Sequence, residues 1–121
     1  MTFILCEQLS HLTFRTKLFS LPNATMCKCS FFIQNSSSNS LQVSWLRFSS
    51  VEVLSVGDLV FSSDSRVSVY SLDRRWQDVQ IWILKIRRVS TLDQGLYQCQ
   101  VKYMLNVIKL QYTLISFYKN Q

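Results

Sequence analysis

The residues best able to do chemistry in this chain of 121 residues stand in one stretch, Asp93-Gln-Gly-Leu-Tyr-Gln-Cys-Gln-Val101. An acid, a glycine, a tyrosine and a cysteine occupy positions 93, 95, 97 and 99. A carboxylate can hold a cation, a phenol can donate a hydrogen bond, and a thiol can form a disulfide or ligate a metal. The strict period of two belongs to a strand, which sends alternate side chains to one face. Tyr97 and Cys99 therefore share one side, and Gln98 and Gln100 the other. Cys99 has Cys6, Cys27 and Cys29 as candidate partners. A tetrahedral zinc site needs clustered ligands, and the C-x-C pair at 27 and 29 lies far from the lone His11. No metal and no cofactor are expected. His11 has neither a base nor a nucleophile beside it, and no carboxylate pair or phosphate-cradling glycine loop occurs. The chain does not read as an enzyme.

The elements that must position these residues are short strands. Leu41–Arg47 alternates, with Val43 and Trp45 on one face. Val53–Val56 and Leu59–Phe61 flank Gly57-Asp58, a two-residue hairpin signal. Arg66–Val69, Ile81–Ile86, Tyr97–Val101 and Leu110–Leu114 follow, and Trp82, Leu84 and Ile86 share a side. Earlier, Ala24–Phe32 sets Thr25, Cys27, Cys29 and Phe31 on one face. Strands recurring at roughly 8–12 residues predict a sandwich or barrel, an all-β fold. No amphipathic helix of useful length appears, and 89–95 holds one turn at most. Gln34–Ser40 is seven small polar residues and reads as a loop.

The first twenty residues are less readable, with Leu12-Thr-Phe14 and Lys17-Leu-Phe19 as candidate edge strands. The opening MTFILC is apolar but short, lacks a basic region before it, and is not read as a signal peptide. The division expected is an N-terminal segment over 1–19, one domain over 20–116, and the end of a fragment over 117–121. A hydrophobic content of 48% excludes a disordered tail, and no apolar run reaches the ~18 residues needed to span a bilayer. The net charge of +6 is scattered, with doublets at 74–75 and 87–88. A nucleic-acid face needs a denser stripe, so no nucleic-acid partner is expected. Asn23-Ala-Thr25 and Asn35-Ser-Ser37 are glycosylation acceptors in a secreted chain.

A sandwich needs a tie between its sheets. A disulfide between facing strands supplies one, commonly with a bulky aromatic beside it. Trp45 lies between the 24–32 strand and Cys99. A Cys29–Cys99 bridge closes a loop of about 70 residues, worth roughly 4 kcal/mol in the chain-entropy model. Cys27, on the same face as Cys29, stays open as the alternative. Tyr97 can bury its ring and bond its hydroxyl to backbone upstream. Asp93 can hold a basic partner, with Arg66 as the candidate, and Gly95 permits close backbone approach.

Cys29…Trp45…Leu84…Asp93-Gln-Gly95-Leu-Tyr97-Gln-Cys99 resembles an immunoglobulin domain of the variable type over residues 20–116. Val43-Ser-Trp-Leu-Arg47, Val53-Leu-Ser-Val-Gly57, Phe61-Ser-Ser-Asp-Ser-Arg66, Trp82-Ile-Leu-Lys-Ile86 and Tyr97-Gln-Cys-Gln-Val101, in that order, are similar to the first immunoglobulin domain of the invertebrate Dpr and DIP neuronal cell-surface proteins. The resemblance implies an antiparallel Greek-key sandwich of about nine strands, a structural Cys29–Cys99 bridge and a core holding Trp45, Leu84 and Tyr97. It also implies adhesion: another immunoglobulin-superfamily cell-surface protein, the same or different, docks on the exposed CC′C″FG sheet face. The location implied is extracellular and neuronal, with membrane attachment only through an anchor beyond this chain. One departure is local. Where the family runs on to Ser/Asn-Thr and then proline, this chain reads Lys102-Tyr-Met-Leu-Asn106.

Alternation from Trp45 puts Ser44 and Leu46 outside, and alternation from Cys99 puts Gln98, Gln100 and Lys102 outside. Leu54, Val56 and Phe61 from neighbouring strands are expected to complete an apolar patch with a polar rim, the usual mark of a protein partner; the alternative is that some of these residues close the edge of the core. Cys6 can reach Cys27 as a second bridge if the first strand pairs with 24–32; otherwise both are free thiols. Two other readings compete: an immune-type variable domain binding antigen or pathogen through its loop tips, and a structural spacer domain.

Overall fold

The computed structural model describes residues 2–8, 24–32, 41–74, 79–103 and 106–118. Among them are nine strands and one short 3-10 helix, Thr91–Asp93. The strands are β1 (Thr2–Gln8), β2 (Ala24–Phe32), β3 (Leu41–Arg47), β4 (Glu52–Val56), β5 (Leu59–Val60), β6 (Val67–Arg74), β7 (Val79–Arg87), β8 (Gly95–Tyr103) and β9 (Asn106–Tyr118). They form a six-stranded sheet in the order β1-β9-β8-β3-β4-β5 and a three-stranded sheet in the order β2-β7-β6. Every pairing is antiparallel.

The alternation of apolar residues explains the layering. On β3 Val43 and Trp45 point inward, on β8 Tyr97, Cys99 and Val101, on β9 Tyr112 and Leu114, and all are buried. From the other sheet β7 contributes Trp82, Leu84 and Ile86, and β2 contributes Cys27 and Cys29. Trp45 stands opposite Cys99 in the ladder. Its ring lies 5.4 Å from that of Tyr112 at a tilted angle, a favourable aromatic geometry. Cys29 is bonded to Cys99, and Cys6 to Cys27, so two bridges leave one face of β2 for the opposite sheet. The β4–β5 hairpin turns at Gly57, whose φ of 56° suits a residue without a Cβ.

Three departures from the sequence reading follow from tertiary pairing. The opening residues form β1, which zips onto β9 from Thr2↔Tyr118 to Gln8↔Tyr112. Strand β6 continues to Arg74, past the expected end at Val69, because β7 offers partners as far as Val79. The third is a bulge. Trp45 pairs Ser55 but Leu46 pairs Val53, which leaves Leu54 as an extra residue. The candidate strands at 12–14 and 17–19, the loop at 34–40, and Asn23 and Asn35 lie outside the described residues.

Candidate functional site

The base of the sandwich is an ionic cluster that orients β8. Ser90 caps the 3-10 turn: its hydroxyl accepts from the Leu92 N–H at 3.3 Å, and its own N–H donates to Asp93 Oδ2 at 2.8 Å. Asp93 is only 2% exposed. Arg66 grips it with two donors, Nη1 to Oδ2 and Nη2 to Oδ1, both at 2.9 Å. Arg47 adds a third from the side chain, Nη2 to Oδ1 at 3.1 Å. Asp64 holds Arg66 from the other side at 2.8 Å. The Tyr97 hydroxyl donates to the Asp93 carbonyl at 2.7 Å, and the Arg47 guanidinium sits 5.5 Å from the Tyr97 ring centre. Gly95, between the acid and the tyrosine, has a φ of 141°, in the region glycine tolerates best. A cleft of about 130 Å³ beside the cluster is lined by these arginines and by Glu52, Asp64 and Asp93. Its opposite charges are largely paired with one another, so it serves architecture.

The sequence pointed to Arg66 and missed Arg47, Asp64 and Ser90. Two signals were present. Ser90-x-x-Asp93 fits a capping box, and Arg47 shares the inward parity of Val43 and Trp45. Burial alone pushes the Asp93 carboxyl upward. The hydrogen bond from Arg66, the Ser90 N–H and Arg47 outweigh it, and the net pKa lies below the ordinary range. The side-chain and backbone bonds from Arg66 lower Asp64 as well. A folded pKa below the unfolded value of about 3.9 means stability that is present above that value and lost as pH falls through the folded one. Denaturant midpoints are therefore expected to fall below about pH 4, and Asp93→Asn should flatten that decline. An unchanged acid profile in the variant would locate the titrating groups elsewhere.

The outer face of the larger sheet is different in character. Leu46 and Ser44 are half-buried, Gln100 is half-buried, and Lys102 is exposed, all on the outward parity. Val53 is 44% exposed, and Leu59, opposite Val56, is 66% exposed. Phe61, just past β5, is 61% exposed. Toward the other side of the sheet, Val107, Lys109 and Gln111 of β9 are exposed beside Lys102, Gln100 and Gln98. An apolar zone thus runs from β3 to β5, flanked by amides and then by two lysines.

Two expected members of this patch are corrected. Leu54 is 2% exposed and belongs to the core, because the bulge turns the extra residue of β4 inward. Val53 takes the outer position that Leu54 was expected to fill. Gln98 keeps the outward parity but is 3% exposed. It lies between Leu46 and Gln111 on the flanking strands, and its Oε1 accepts from Gln100 Nε2 at 2.6 Å. It therefore braces Gln100 from beneath and offers little surface of its own. Among the described residues no group of three or more His, Cys, Asp or Glu side chains could hold a metal ion.

Two antiparallel sheets bridged by Cys29–Cys99, with Trp45 beside the bridge and the Tyr97 hydroxyl on backbone four residues upstream, make this chain an immunoglobulin domain of the variable type. Strands β3, β4, β5, β8 and β9 are C, C′, C″, F and G. The domain is similar to solved first immunoglobulin domains of the Dpr, DIP and ZIG-8 proteins. The ZIG-8 IG1 homodimer matches with a TM-score of 0.57 and 26% identity, over 74% of this chain and 68% of that one. Dpr1 IG1 bound to DIP-eta IG1 matches with a TM-score of 0.53 and 25% identity, over 73% and 76%. DIP-gamma IG1+IG2 matches with a TM-score of 0.54 and 27% identity, over 71% and 38%. No family model matches the chain, and no curated protein matches it.

Proposed function

We propose that this domain is an extracellular recognition module that docks another immunoglobulin-superfamily protein on its CC′C″FG face, as part of neuronal cell-surface pairing. The observation that carries the reading is the exposed apolar zone of Val53 and Leu59, continued by half-buried Val56 on β4 and Leu46 on β3, next to the Gln98–Gln100 amides of β8. An apolar centre with a polar rim is the usual anatomy of a protein interface. Two disulfides within 121 residues suit an oxidising, extracellular setting. The similar ZIG-8 IG1 forms a homodimer and Dpr1 IG1 binds DIP-eta IG1, which favours an immunoglobulin domain as partner. The domain performs no chemistry in this reading; it works by burying preformed surface.

The test is a binding panel on a sensor surface. This chain is passed over itself and over ZIG-8 IG1, Dpr1 IG1 and DIP-eta IG1. Val53→Asp and Leu59→Asp are expected to weaken any pairing found by about 10- to 100-fold, since each sets a charge in a desolvated centre. Both positions are exposed, so folding should be unaffected. Pairing that survives both changes but is lost on altering residues 34–40 or 104–105 would overturn the sheet-face reading. Absence of pairing with all four probes would favour a spacer domain.

A further inference from the structure

The two disulfides differ in what must open before a reductant can reach them. Cys29–Cys99 joins β2 to β8, and β8 is flanked on both sides by β9 and β3. Reaching it requires parting the two sheets. Cys6–Cys27 joins β1 to β2, and among the described residues each is the edge strand of its own sheet. Among the described residues β1 pairs only with β9, so peeling that one ladder releases the Cys6 side of the bridge. Local opening at an edge costs far less than global opening. The one β1 side chain described is that of Cys6, and it is in the core. Between the two bridges, the Tyr112 hydroxyl of β9 donates to the Lys28 carbonyl at 2.8 Å. Lys28 separates Cys27 from Cys29, so β9 keeps its own tie to β2 when β1 leaves.

We propose that Cys6–Cys27 is a redox latch on β1, and that opening it frees the edge of β9 to pair with β1 of a second copy of this chain. The reductant is a dithiol. One thiolate attacks a sulfur of the latch and forms a mixed disulfide, and its second thiolate then displaces the bound cysteine. The latch takes up two electrons and two protons and becomes two thiols; the dithiol becomes a disulfide. The freed edge is the β9 run from Tyr112 to Tyr118, which beyond Leu114 pairs, among the described residues, only with β1. An unpaired strand edge is a template for another strand. About 15 residues join β1 to β2, a tether of up to about 50 Å when extended, so β1 can cross to a neighbouring copy. This latch lies on the opposite side of the sheet from Val53 and Leu59 and acts independently of docking there.

The experiment titrates the oxidised chain with dithiothreitol, alkylates it and maps the labelled cysteines by mass spectrometry. Cys6 and Cys27 should label at reductant concentrations about 10-fold below those needed for Cys29 and Cys99. Hydrogen exchange should show β1 losing protection first. Sizing after alkylation, when no new disulfide can form, should show a dimer, and the dimer should persist in a Val53→Asp chain. Cys6→Ser/Cys27→Ser should dimerise without reductant. Labelling of all four cysteines together would overturn the proposal. So would a labelled latch with β1 still protected and the chain monomeric. If the double serine variant does not fold, labelling and sizing of the native sequence decide the matter alone.

Discussion

Replacing Asp93 with alanine is expected to destabilise the domain by about 3–5 kcal/mol, the range for breaking a buried ion pair by removing one partner. The carboxylate accepts from Arg66, Arg47 and the Ser90 N–H. Its loss strands two guanidinium groups and uncaps the turn that leads into β8. Both arginine side chains are about one-fifth exposed and Arg66 keeps Asp64, so water and the second acid soften the effect and favour the lower end. With a urea slope of about 1–3 kcal/mol/M for a domain of this size, the midpoint should drop by at least about 1 M. Asp93→Asn should fall between wild type and alanine, because the amide keeps the shape and one acceptor. A loss under about 1 kcal/mol would mean that Arg47 and Arg66 turn out to solvent at no cost.

Removing the inter-sheet bridge by Cys29→Ala/Cys99→Ala is expected to cost about 4 kcal/mol, from the unfolded-chain entropy of a 70-residue separation. Against a total stability of about 5–15 kcal/mol, that leaves a marginal domain. At about 4 °C per kcal/mol or more, the melting temperature should drop by at least about 15 °C. Cys6–Cys27 spans a separation of 21, and its removal should cost about 3 kcal/mol on the same basis. A melt nearly unchanged by Cys29→Ala/Cys99→Ala would show that packing of Trp45 against Tyr112 holds the sheets unaided.

These two effects come from the same nine residues with which the sequence reading began. The period of two from Gly95 to Val101 is a strand whose Tyr97 and Cys99 face the core, and the Gly57-Asp58 hairpin is a turn between β4 and β5. Such features depend on the pleat and on turn chemistry, which neighbours in the chain determine among themselves. The acidic end of the stretch was legible as half of an ion pair. Its full set of donors was not, because Arg47 lies 46 residues away and only the packing of β3 against β8 brings it near.

The amino-acid sequence by itself therefore determined the fold class, the inward parity of β2, β3, β7 and β8, and the family resemblance. These rest on short-range alternation and on residue types at set offsets. Tertiary structure alone decided the rest. It turned Leu54 inward through a one-residue slip against β3, and gave its outer place to Val53. It covered Gln98 between Leu46 and Gln111. It drew the opening residues onto β9 and brought Cys6 to Cys27. Register, strand order and sulfur pairing depend on which distant segments lie side by side, and no periodicity within one strand encodes its neighbours.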